Sequence, residues 1–333
     1  MNNTATALLK KLLETYGPSG NEEKIRELIH QEIKDYVDEI KVDKMGNLIA
    51  IKKGTSKKVM VAAHMDEIGI IVTGIDENGF LRFANVGGVS PFISLGQRIM
   101  FRDGTLGVVG MEHLENMKDL KLNKMYIDIG AKTKEEAMKN VSLGDVGCFY
   151  QSFAPANENL VSKALDDRIG CFIAIETLKQ MKNTSNEIYF VFTVQEELGT
   201  RGAKTAAFGL NPDLGIAVDV TATGDTPKSK PMAVKLGEGP AIKIKDNSLL
   251  SHPAVKQLMI ETAKENQIPY QLEVLEFGGT DSGAIHLTRE GIPAGVLSIP
   301  CRYIHSPSET VSKNDVENAI VLLTKILEKE ITL

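Results

Sequence analysis

The stretch VMVAAHMDEIGIIVTGID, residues 59–76, decides how the chain is organised. Its first part is an unbroken apolar run with a polar tip, the pattern of a buried strand that delivers His64 to a sheet edge. Its second part, GIIVTGID, begins a different texture: short strand-like pieces separated by turn signals such as DENG and RDG. The pieces continue through GFLRFANV, RIMFRDG, TLGVVGM, MYIDIG and VGCFYQ, with one brief helical stretch near 133–140. They predict a small β barrel or sandwich over residues 68–160.

Outside that segment, helical and strand periods alternate. TATALLKKLLETY (4–16) places Leu8, Leu9, Leu12 and Leu13 on one helical stripe, and Gly17-Pro18 stops it. A second helix starts at Asn21, with Ile25, Leu28, Ile29, Ile33 and Val37 on its apolar face. Beyond residue 160, helices are expected at 166–182, 202–208, 253–266, 281–290 and 313–330. Strands are expected at 187–194, 214–220, 241–245, 270–275 and 292–299. The alternation predicts an α/β fold with a central, mostly parallel sheet flanked by helices, formed by residues 1–67 and 161–333. The all-β segment 68–160 is then an insertion into it.

Composition narrows the function. The chain has 333 residues, 42% hydrophobic and 25% charged, as ordinary globular proteins do. With 38 Lys+Arg against 44 Asp+Glu, the net charge of −6 leaves no basic excess for phosphates or an anionic membrane. Nucleic acid and membrane are therefore not expected partners. Trp is absent, and Cys148, Cys171 and Cys301 are too few and too scattered for a disulfide framework or a thiolate zinc site. The first residues read as an amphipathic helix rather than a signal peptide, so a cytoplasmic location is expected.

Polar clusters sit where apolar strands end: HMDE (64–67), LDDR (165–168), QEE (195–197), VDV (218–220) and YIHSPSE (303–309). His with several carboxylates and no usable Cys is a donor set for divalent Zn, Co or Mn. Each cluster also has a plainer explanation. His64 alone suits a half-buried histidine, although Asp66 shares its face of an extended segment and could hold the imidazole in one tautomer. Asp166-Asp167 suits a helix N-cap neutralised by Arg168. Glu196-Glu197, at the end of IYFVFTV, would diverge to opposite sides of a strand or simply be solvated. Asp219 within GIAVDVTA resists such a reading, because an acid in a buried strand costs several kcal/mol unless it meets a cation. In FGGTDSGAIH (277–286), two glycines precede Thr280 and Asp281 at a helix start, which by itself suits a capped turn.

Taken together and in this order, the motifs HMDEIG, ALDDR, QEELGTRGA, AVDVT, GGTDSGAIH and RYIHSPSE resemble the tetrahedral or glutamyl aminopeptidase family of dinuclear metallopeptidases over essentially the whole chain. The resemblance implies a zinc-peptidase-like α/β domain with a barrel- or PDZ-like insert serving dimerisation and assembly. It implies two divalent ions per subunit, with Asp166 bridging them, His64 and Asp219 completing one site and Glu197 and His305 the other. It further implies Glu196 as general base, Asp66 orienting His64, a cis peptide at Asp166-Asp167, and Gly279, Thr280 and Asp281 in the substrate cleft. The implied reaction is removal of N-terminal residues from peptides by a hydroxide shared between the ions, in a homo-oligomer that builds from dimers up to a dodecamer. A metal-dependent N-acyl amino acid deacylase or carboxypeptidase-like amidohydrolase would use a similar ligand set, with an α/β lid in place of a β insert. A retaining glycosidase needs carboxyls about 5 Å apart across a sugar, which diverging Glu196 and Glu197 would not supply.

Overall fold

The computed structural model describes residues 1–332. Its largest element is an eleven-stranded sheet. The middle of the sheet is parallel: strands Glu187–Thr193, Lys58–His64, Leu214–Thr221 and Ala294–Arg302 lie side by side in that order. Antiparallel strands flank them, Leu48–Lys52 and Glu39–Val42 on one side and Glu309–Ser312, Asn159–Ser162 and Ala154–Ala156 on the other. Ala241–Lys245 joins Ala294–Arg302 antiparallel and carries Gln271–Val274 parallel. The sheet is thus mixed, and the expectation of a mostly parallel one holds only at its centre. Local apolar runs mark strands buried on both faces but carry no record of which neighbour a strand pairs with.

Period-2 alternation assigns the two faces. From Lys58–His64, Val59, Val61 and Ala63 enter one core with Leu9, Leu12, Phe172 and Leu323, whereas Met60 and Ala62 enter a second with Ala203, Ala206 and Ile285. Helices Asn3–Glu14, Leu165–Gln180 and Lys313–Glu328 cover the first face; Arg201–Leu210 and Asp281–Ile285 cover the second. Phe172, Phe190 and Phe192 are fully buried, each contributing about 2–3 kcal/mol of apolar burial. The helix expected at 281–290 is only Asp281–Ile285, and Arg289 adopts the left-handed φ of 55° soon after it.

A closed antiparallel barrel is made of Gly69–Ile75, Leu81–Val86, Met125–Asp128, Leu106–Met111, Arg98–Phe101 and Val146–Phe149, in that order around it. Its own core includes Ile70, Phe83, Ile99, Phe101, Ile127 and Phe149. Closure removes free strand edges. Strand 154–156, within the segment expected to be the insert, and strand 159–162, which straddles its end, pair with the large sheet instead. Among the described residues no helix is long and apolar enough to cross a membrane.

Candidate metal centre

The parallel strands all end on one side, and the polar clusters gather there. His64 is the last residue of its strand, and Asp219 lies near the end of the strand beside it. Asp166 sits at the start of Leu165–Gln180, where its non-helical φ/ψ and the cis Asp166-Asp167 bond break the helix. Contrary to expectation, Glu196 and Glu197 do not continue the strand Glu187–Thr193. Gln195 turns left-handed at φ 54°, and the two acids leave on a turn. His305, also left-handed at φ 61°, follows Ala294–Arg302.

Asp166 lies between two imidazoles. Its Oδ1 is 3.0 Å from His64 Nε2, and its Oδ2 is 3.3 Å from His305 Nε2. His305 Nε2 is also 3.3 Å from Glu197 Oε1, and His64 Nε2 is 4.0 Å from Asp219 Oδ1 and 3.9 Å from Glu196 Oε2. Donor atoms about 2 Å from one ion lie roughly 3–4 Å from each other. Single donor atoms of His64, Asp166 and Glu197 fall within 4.8 Å of one another, as do those of His64, Asp167 and Asp219. All five residues expected as ligands therefore converge.

The electrostatics are those of an acid cluster short of positive charge. Burial pushes the Asp219, Glu196, Asp167 and Glu309 carboxyls well above the usual carboxylate range. Burial opposes protonation of His305, but Asp166 and Glu197 outweigh it and carry the imidazole up to about 11. Asp281 Oδ1 is buried without a hydrogen-bond donor, and Glu197 Oε1 meets His305 Nε2 at 3.3 Å without a well-formed hydrogen bond. Nitrogen and oxygen donors surrounding such atoms suit divalent cations. Thiolates do not contribute: Cys171 is buried, its Sγ donates to the His64 carbonyl at 3.1 Å, and burial holds its thiol well up.

Hydrogen bonds to neighbouring main chain hold the acids in place. Asp66 differs from its expected contact with the imidazole. His64 Nδ1 faces the Asp66 main-chain oxygen at 3.0 Å, while carboxylate Oδ1 is 3.7 Å away. The carboxylate instead accepts the N–H groups of Glu196 and Glu197, at 3.0 and 3.2 Å, and the Ser19 hydroxyl at 2.6 Å. It fixes the turn bearing both glutamates. Asp167 accepts the His64 N–H at 3.2 Å and the Gly170 N–H at 3.0 Å. A Cβ on Gly170 would meet Asp167 at 2.4 Å, so this position admits only glycine. Glu309 clamps both sides of the cluster, accepting the Asp166 N–H at 2.9 Å and the His305 N–H at 2.8 Å. Arg168 does not neutralise the aspartates; it donates to the carbonyls of Leu12, Thr15, Gly17 and Met65 and contacts Glu67. Glu22, just before the helix Glu23–Ile33, accepts the N–H groups of Gly20 and Gln195.

A cavity of about 1500 Å³ opens over the cluster, with His64, Asp166, Glu196, Glu197, Asp219 and His305 on its wall. Gly279 and Thr280 line it. Asp281 does not: it is 2% exposed and its Oδ2 accepts the Thr193 hydroxyl at 2.5 Å.

The sequence matches the M42 glutamyl aminopeptidase family over residues 46–322. The chain belongs to that family. Its relatives include a putative aminopeptidase of Acetivibrio thermocellus, 60% identical over 96% of this chain and 97% of the relative. The lysyl aminopeptidase of Pyrococcus furiosus is 39% identical, over 97% of this chain and 96% of its own. Among solved structures, the Pyrococcus horikoshii TET1 peptidase, described as assembling into a tetrahedron or a large octahedral shell, superposes with a TM-score of 0.88 at 36% identity, over 98% of this chain and 99% of its own. As an M42 protein, the chain is an aminopeptidase-type peptide hydrolase.

Proposed function

We propose that this M42 protein is a metal-dependent aminopeptidase that removes N-terminal residues from peptides. The observation that carries the reading is Asp166, whose two carboxylate oxygens each face a different histidine. His64, Asp166 and Asp219 would hold one divalent ion, and His305, Asp166 and Glu197 a second; zinc, cobalt and manganese all suit these donors. Such ions, when bound, polarise a scissile carbonyl and make water acidic enough to supply hydroxide near neutral pH. Glu196 Oε2 takes the proton from the attacking water and returns it to the leaving amine, as a general base and then a general acid. Restriction of cleavage to the N-terminus follows the activity for which the relatives are named.

The barrel residues form the insert and the remaining chain the α/β catalytic domain. The antiparallel barrel favours the aminopeptidase reading over a deacylase with an α/β lid. Buried free cysteines accord with a reducing, cytoplasmic location. The barrel would mediate a homo-oligomer built from dimers, up to a dodecamer, as the shells described for the TET1 peptidase suggest. Glu196→Gln tests the mechanism. It should bind two equivalents of metal in titration calorimetry yet lose nearly all hydrolysis of aminoacyl chromogenic substrates; retained turnover would refute the base assignment.

A further inference from the structure

A buried ion cluster lies beneath the cavity, near enough to Asp219 for the charges to act on each other but sharing no residue with the expected ligands. Lys243 and Glu273 are direct cross-strand partners in the Ala241–Lys245 and Gln271–Val274 pair. Lys243 Nζ is 2.9 Å from Glu273 Oε1 and 3.4 Å from Asp246 Oδ2, and none of the three residues is more than 2% exposed. Burial opposes the ammonium charge, but Glu273 and Asp246 outweigh it and keep Lys243 protonated. Such a buried ion group is a weak source of stability, because desolvation offsets the attraction and apolar replacements often do as well. Its use must lie in what its carboxylates hold.

Both carboxylates reach the cavity wall. Glu273 Oε1 accepts the Thr221 hydroxyl at 2.7 Å, and Thr221 lines the cavity two residues after Asp219. Asp246 Oδ1 accepts the Ser248 N–H at 2.7 Å, the Ser248 hydroxyl at 2.9 Å and the Leu249 N–H at 2.8 Å. The loop so fixed, Asn247 and Ser248, faces the cavity and packs on the GGTDSG segment. Asn247 N–H donates to the Gly278 carbonyl at 3.3 Å. Cβ atoms on Gly279 and Gly283 would come within 2.9 and 2.3 Å of Ser248 Oγ, so the glycines of that motif make room for the loop.

We propose that Lys243 is a positioning residue that holds the cavity wall of Thr221, Asn247, Ser248 and Gly279 in its substrate-binding arrangement. The inference rests on the aminopeptidase reading only in taking this cavity as the peptide cleft. Without the ammonium, Asp246 and Glu273 repel each other, the loop loses its fixed acceptor, and peptide binding weakens while the metal cluster keeps its ligands.

The test is Lys243→Met in the full-length protein, with Lys243→Met/Asp246→Asn/Glu273→Gln as a charge-free companion should the single variant not fold. In metal-free protein, the amides of Ser248 and Leu249 should exchange with deuterium at least about tenfold faster than in the parent, a local opening rather than global unfolding. In metal-loaded protein, KM for a short peptide should rise about tenfold or more while kcat changes less than about threefold. Parent-like exchange and KM in a folded variant overturn the proposal. If the parent itself fails to cleave peptides with free N-termini, the cleft assignment fails instead, and the exchange rates still decide the role of Lys243.

Discussion

Gly88, in the loop that leaves the barrel strand Leu81–Val86, presses its Cα so closely on His305 that a Cβ there would lie 2.3 Å from the imidazole Nδ1. Its neighbour Gly87, left-handed at φ 77°, stands in the same relation to Glu197, with a Cβ contact at 3.1 Å. The barrel therefore forms a wall of the metal centre.

Gly88→Ala should displace the His305 ring and weaken the ion site formed with Glu197. Metal affinity at that site should fall about 10–100-fold, as when the orientation of a ligand is disturbed, with the barrel still folded. Titration calorimetry on the metal-free variant would show one weakened site beside one near-parent site.

Chelation should abolish hydrolysis of peptides with free N-termini, and zinc, cobalt or manganese should restore it. Acetylated peptides should resist cleavage in every metal form. Chelator-insensitive activity, or cleavage of blocked peptides, would contradict the proposed function.

Glu22 gives a pH-dependent test of stability. Burial, aided by Asp66, pushes its carboxyl from 4.5 to about 7. A raised carboxylate pKa means that the folded state holds the proton more tightly than the unfolded one. Stability from this group is therefore present below pH 4.5 and declines as pH rises toward 7. Glu22→Gln keeps the oxygen that accepts the Gly20 and Gln195 N–H groups and removes the buried charge. It should stabilise the protein at pH 8 by up to about 3 kcal/mol and leave it nearly unchanged at pH 4.5. Urea unfolding at the two pH values measures the difference.

Lys163→Met should destabilise the junction of barrel and sheet. Lys163 Nζ is 2.6 Å from Glu67 Oε2, and both side chains are almost fully buried. Removing the ammonium leaves Glu67 with Arg168 at 3.4 Å as its cation. The expected loss is about 3 kcal/mol in urea unfolding.

The chemistry was legible in the sequence where it follows the strands. Apolar runs that end in polar residues mark the clusters HMDE, LDDR, QEE, VDV and YIHSPSE as strand ends, which converge in a parallel sheet, whereas the choice of His64, Asp166, Glu197, Asp219 and His305 within them rests on the family resemblance. What escaped depends on pairings far apart in the chain. Ser19 and Glu22 reach Asp66 and Gln195 with no local motif to announce them. The family resemblance puts Asp281 in the cleft, but its side chain accepts the Thr193 hydroxyl instead. Glu196 and Glu197 were read as a strand end, and only the left-handed Gln195 shows that a turn carries them. The antiparallel flanks of the sheet were hidden for the same reason, since pairing order leaves no mark on a run of valines and isoleucines.

Only residues 65–68 separate the strand that ends at His64 from the barrel strand that begins at Gly69. That link is fastened at three points: Met65 N–H donates to Thr193, Glu67 N–H to Gly17, and the Glu67 carbonyl accepts the Ser19 N–H. So short and tightly tied a tether leaves no slack. The barrel is therefore anchored to the same main-chain segments, at Gly17, Ser19 and Thr193, that border the metal centre.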